Sequence, residues 1–168
     1  MNGYDYILKF AEAVRDDSDI LDYCVANWDK GLLVQIDDDN EDPVGSPEAP
    51  YCILMLVPGG DDSPVSENRL SNIRVEVGVN PASTSQPPYR TDVTERTTAA
   101  NGLRKYGEGE RALDLLDLVL TAIKAVNLGA SEIQQTMSID ANGSLLFPLA
   151  LAVSNISVIS NKELNSFS

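Results

Sequence analysis

The chain has 168 residues and a net charge of −14, with 43% hydrophobic and 23% charged residues. That balance describes one globular domain and excludes an intrinsically disordered chain. Its longest apolar run, Tyr51 to Pro58, is far short of the ~20 residues that a membrane-crossing helix needs, and the acidic balance excludes tight binding to nucleic-acid phosphates, which needs clustered Lys and Arg.

The charge is unevenly spread: residues 1–66 carry −12, residues 67–111 carry +1 and residues 112–168 carry −3. Such asymmetry suits head-to-tail self-association, an acidic face meeting a less acidic one, and high salt should then weaken the contact. A solvated acidic surface that serves only solubility is the plainer alternative. The start of the chain, Met-Asn-Gly-Tyr-Asp-Tyr, lacks the basic and apolar regions of a secretory signal, so the expected compartment is cytoplasmic. Cys24 and Cys52 both stand in apolar stretches and are expected to be buried free thiols.

In chain order, residues 4–14 predict a helix with Ile7, Phe10 and Val14 on one stripe and Leu8 and Ala11 on its flanks. Asp16, Asp17, Ser18 and Asp19 interrupt it and offer an N-cap to a second helix through Ile20, Cys24 and Trp28, ended by Gly31. Leu32 to Ile36 reads as a strand, and an acidic loop follows at 37–42. Tyr51 to Val57 is apolar throughout, as in a strand covered on both faces. Ile73 to Val79 alternates, with four β-branched residues on one side and Arg74 and Glu76 on the other.

Residues 80–109 contain Pro81, Pro87, Pro88 and many Ser and Thr, and are expected to form a protruding loop or arm. A helix should then run from about Glu110 to Leu128. Twelve of those 19 residues are apolar, and Glu110, Asp114, Asp117, Thr121 and Lys124 make only a narrow polar stripe. One reading is that a neighbouring subunit covers part of this helix. Leu113, Leu116, Leu120 and Ile123 are then the expected subunit interface, together with Arg90, Arg96 and Arg104 of the preceding arm. The other reading lays the helix against its own sheet. Ile133 to Asp140 and Leu145 to Val153 read as strands joined at Asn142-Gly143, a two-residue hairpin signal. The parity of Leu149, Leu151 and Val153 differs from that of Ile156 and Val158, which predicts a bulge or a strand break near Ser154-Asn155. Residues 161–168 read as a loose tail. The fold class expected is α/β of the α+β type, a single domain with a mixed, mainly antiparallel sheet and helices packed on one face.

The chain has no histidine, which removes Ser-His-Asp and Cys-His chemistry and the usual imidazole metal ligands. Asp37, Asp39, Glu41 and Glu48 match four ligand positions of a calcium loop, but Asp42 stands where such a loop needs Gly and Pro43 follows it, so a solvated loop is expected. Gly107-Glu108-Gly109 precedes a helix without the P-loop Lys, and its glutamate repels phosphate. No catalytic residue, metal or cofactor is therefore assigned. A small acidic metal-binding or ligand-binding module, or a hydrolase using carboxylates, stays open as an alternative.

The order of elements, closing on the hairpin with Leu145-Leu146-Phe147-Pro148-Leu149, resembles the tail-terminator and tail-completion proteins of long-tailed phages and prophages. The resemblance spans residues 4–159 as an order of elements, and only the Phe147-Pro148 region resembles a motif. It implies a homohexameric ring that caps the tail tube, with the tail tube protein and a head-connector protein as partners. DNA would pass through the ring without tight binding. It also implies assembly in the host cytoplasm and residence in the virion tail. A head–tail neck or completion component of the same particle is the neighbouring alternative.

Overall fold

In the computed structural model the described residues are 3–37, 49–57, 68–80, 107–129, 131–136 and 149–161. They form helices α1 (Gly3–Asp16), α2 (Ser18–Trp28) and α3 (Gly107–Lys124). The strands are β1 (Leu33–Ile36), β2 (Tyr51–Leu56), β3 (Asn68–Val79), β4 (Glu132–Thr136) and β5 (Ala150–Asn161). The five strands make one sheet in the order β1-β2-β3-β5-β4. Only β1 and β2 run parallel; the other three pairings are antiparallel. This is the expected α+β class.

Local chemistry places each element. Tyr6, Ile7, Phe10, Ala11 and Val14 are the buried stripe of α1. The next helix starts where Asp17, in extended backbone, accepts the Ile20 N–H on Oδ1 at 3.0 Å, an N-cap that satisfies a donor the helix cannot. It ends at Asp29, not at Gly31: Asp29 takes the left-handed φ of 57° and donates its N–H to the Val25 carbonyl. Asp tolerates that region better than most residues.

The alternating residues Ile73, Val75, Val77 and Val79 are all buried, beneath the helices. Their register partners Cys52 and Leu54 on β2 and Ala150, Ala152 and Ile156 on β5 complete that face, with Val158 opposite Ser71. On the opposite face Ala49, Tyr51 and Ile53 form a second cluster with Met55, Leu149 and Leu151. β2 is thus covered on both sides, as its unbroken apolar run predicted.

One expectation about the last strands is corrected. β5 is paired without interruption to β3 from Ala150 to Asn161, so no bulge or break occurs at Ser154-Asn155. The change of parity reflects burial on both faces instead: Leu151 and Val153 look one way, and Ala152, Ser154, Ile156 and Val158 the other. The β4–β5 pairing sets Thr136 opposite Asn155 and Glu132 opposite Ile159. Asn142-Gly143, where the hairpin turn is expected, lies outside the described residues, as does Phe147-Pro148. β3 begins at Asn68, earlier than its alternating stretch, because the pairing with β5 carries the mainly polar residues Asn68 to Asn72. The arm expected at 80–109 and the tail expected at 161–168 are shorter at their ends, since Asn80 is buried, Gly107 to Gly109 open α3 and Asn161 closes β5; residues 81–106 and 162–168 are outside the described residues.

Gly78 on β3 faces Tyr51 on β2. A Cβ at Gly78 would stand 2.2 Å from Tyr51 Cζ, so the phenol ring lies directly on the glycine. The Tyr51 hydroxyl donates to Glu76 Oε1 at 3.4 Å, and Glu76 pairs with Arg74 at 2.9 Å. Tyr51, Glu76 and Arg74 therefore form one chain of contacts across the face that the helices leave free.

Candidate functional site

The expectation that α3 needs a neighbour for cover is corrected. Leu116 and Leu120 are 3% and 4% exposed and Ile123 is fully enclosed. Ala112, Leu115, Val119, Ala122 and Leu128 are buried as well. The helix lies against β3 and β5 with α1 and α2 beside it, and these shelter most of its apolar residues, leaving Leu118 half-buried and, just past its end, Val126 half-buried and Ala125 exposed. Leu116, Leu120 and Ile123 belong to the core of their own chain and are not surface for a partner. Leu113 differs: it is half-buried, packed at the margin of the core. Tyr23 of α2 approaches the Arg111 carbonyl and the Asp114 carboxylate, each at 3.5 Å, and Ala122 and Ala125 line a shallow groove with Ala13, Asp16 and Asp17. By helical spacing Leu113 falls on the opposite flank, away from α1 and α2. Arg90, Arg96 and Arg104 lie outside the described residues.

The apolar surface that the fold does leave in water sits elsewhere. Tyr4 and Leu8, one turn apart on α1, are 56% and 52% exposed. Leu21 and Val25, one turn apart on α2, and Leu33 on β1 are exposed too. α1 lies over β1 and β2 with α3 on its other side, and Tyr6 and Ala13 face that side, Tyr6 reaching Ser131 and Ala13 lining the groove with α3. Tyr4 and Leu8 are therefore on the flank turned toward β1. Contact between Tyr4 and Asp37, just past β1, supports that placement: a hydrogen bond to the carboxylate, and then its charge, raise the Tyr4 pKa.

β1 is an edge of the sheet. Leu33 donates its N–H to the Pro50 carbonyl and Asp37 to the Leu54 carbonyl. In a parallel pair the N–H and C=O of one residue point the same way, so those of Val34 and Ile36 point outward. Among the described residues no strand pairs with that side, nor with the outer side of β4.

Chemistry-bearing groups are few. Cys24 and Cys52 are free and buried, and burial pushes both thiols up to about 12. That environment leaves them protonated and poor nucleophiles. Burial, then the Asp114 charge, also raises the Tyr23 hydroxyl pKa. Among the described residues no three His, Cys, Asp or Glu side chains are placed to hold a metal ion; Asp39, Glu41 and Glu48 of the acidic loop lie outside them. No described helix is long and apolar enough to cross a membrane.

No family model matches the chain, and no curated protein matches it closely enough to count as a relative. The exposed residues Tyr4, Leu21, Val25 and Leu33 escaped the sequence reading, although a signal existed. Leu21 and Val25 fall outside the Ile20–Cys24–Trp28 stripe, as Leu8 falls outside that of Ile7, Phe10 and Val14.

Proposed function

We propose that the chain is a structural subunit of a long-tailed phage or prophage: a tail terminator whose copies form a ring, cap the tail tube and present their other face to the head connector. The observation that carries this reading is an apolar rim beside an open sheet edge. Tyr4, Leu8 and Leu33 stand in water next to the outward peptide groups of β1. Exposed apolar side chains grouped beside unpaired backbone mark an association surface. The element order, with two helices before the sheet and a long helix before β4 and β5, supports the phage resemblance on which the tube and connector partners rest.

Light scattering across a concentration series tests the assembly. A mass of several chains, with rotational symmetry in class averages of negatively stained particles, is expected. A strict monomer at high concentration overturns the proposal. Mixing the protein with purified tail tubes tests the role: decoration of one tube end is the expected result, and binding only to head connectors assigns it to the neck instead.

A further inference from the structure

We infer that the copies join by sheet extension, the β4 edge of one copy pairing antiparallel with the β1 edge of the next; this rests on the ring reading above and names its contact surfaces.

Three observations lead there. The first is polarity. Following the pairings across the sheet, β1 and β2 point one way, β3 the other, β5 back with β2, and β4 with β3. The two edges are therefore antiparallel to each other. A second copy set beside the first in the same orientation brings β1 against β4 in the more favourable antiparallel arrangement.

The second is protection. Natural sheets guard exposed edges with Lys, Pro, bulges or inward charges. The four residues of β1, Leu-Val-Gln-Ile, have none of these. β4 reads Glu-Ile-Gln-Gln-Thr, with its one charge at the first position. Both edges are short, and among the described residues nothing else defends them, in a chain where 23% of residues are charged.

The third is the flank above each edge. The helices lie on one face of the sheet, so a side-by-side copy also brings helix flanks together. On the β1 side that flank presents Tyr4 and Leu8. On the far side, α3 lies over β3 and β5 and turns the half-buried Leu113 away from α1 and α2, toward β4. Backbone pairing thus gains an apolar contact on the helix side, where an unaided edge would have only hydrogen bonds already satisfied by water. The contact is head-to-tail, of the kind that closes into a ring when the rotation permits.

The test uses Leu8→Asn for the β1 flank and Leu113→Asn for the β4 flank in the full-length protein, with thermal melts confirming that each variant is folded. Val34→Pro serves as a second β1 variant, because it removes an outward N–H and spares the bonds to β2. Each variant alone should need at least a tenfold higher concentration than wild type to assemble. An equimolar mixture of Leu8→Asn and Leu113→Asn should form a species of two chains and stop there, since each copy retains one sound edge and the two sound edges are complementary. The inference is overturned if either Leu8→Asn or Leu113→Asn assembles as wild type does, or if the mixture gives no new species. A β1-to-β1 dimer would show itself by Leu113→Asn associating on its own while Leu8→Asn does not. A wild-type ring that both variants preserve refutes the edges and leaves the ring standing; a monomeric wild type refutes the ring itself.

Discussion

Gly78→Ala sets two effects of opposite sign against each other. An alanine in a strand is favoured over glycine by ~0.5–1 kcal/mol, because the unfolded chain has less freedom to lose. Against that, the new Cβ meets Tyr51 Cζ, Cε1 and Oη at 2.2, 2.4 and 2.6 Å, separations that real contacts do not reach. The ring must swing off β3. It cannot do so in place, since Tyr51 is 2% exposed and its hydroxyl is held by Glu76. Overpacking of this kind costs ~1–3 kcal/mol, so the clash wins and the net loss is about 1–2 kcal/mol. For a chain of this size each kcal/mol moves the midpoint by roughly 2–4 °C, which makes the expected fall about 2–8 °C in a calorimetric melt. The decisive measurement is the double-mutant cycle with Tyr51→Leu. Removing the phenol frees the space over Gly78, so Gly78→Ala should cost little in that background. An equal penalty with and without Tyr51 would refute the contact as the cause.

Ser154, 2% exposed, carries a buried hydroxyl without a hydrogen-bond partner among the described residues. Ser154→Ala removes that uncompensated group and should raise stability by ~1 kcal/mol in urea titrations; a loss would mean that the hydroxyl is bonded. The thiols give a pH signature. Cys24 and Cys52 are held near 12 in the fold against ~8.5 when unfolded. The folded state therefore keeps protons that the unfolded state releases, and stability present below about pH 8.5 falls as pH rises toward 12. Replacing both residues with Ala should flatten that part of the stability curve, and neither native thiol should react with a thiol reagent at pH 8 until denaturant is added.

How far the sequence could be read depended on how many faces of each element are covered. Where one face is buried, periodicity was a good guide: Ile7, Phe10 and Val14 in α1 and Ile73 to Val79 in β3 lie as their spacing predicts. Where both faces are buried, the period carries no information. That is why Ser154-Asn155 looked like a bulge, although β5 is regular and simply packs Leu151 on one side and Ala152 on the other. For α3 the difficulty was of another kind. Twelve apolar residues in 19 show that the helix is covered almost all round, but not by which chain. The sheet, α1 and α2 supply most of that cover, so the surplus of apolar residues is mainly a property of the core, with Leu113 left half-buried at its margin. The surface residues that matter for association, Tyr4, Leu8 and Leu33, are single side chains off the main stripes. They gain meaning only from their position beside β1, which no local pattern encodes.

That relocation changes what salt should do. An interface of acidic surface against less acidic surface loses strength as ions screen it. The edges argue for the opposite sign. The described β1 and β4 carry one charge between them, and the flanking residues Tyr4, Leu8 and Leu113 carry none, while each copy brings a net charge of −14 to the assembly. Between copies the dominant long-range force is then repulsion, opposed by short-range backbone pairing and apolar contact. At 0.01 M salt the screening length is ~30 Å, wide enough for whole subunits to repel; at 1 M it is ~3 Å, and only neighbouring charges interact. Screening thus removes the opposing force and spares the contacts that hold. Raising salt should shift the population toward larger assemblies, and a sulfate salt should do so more than chloride because it also favours apolar burial. Sedimentation velocity across a salt series decides between the two: assemblies that dissolve as salt rises are held by ion pairs, and the edge contact is then wrong.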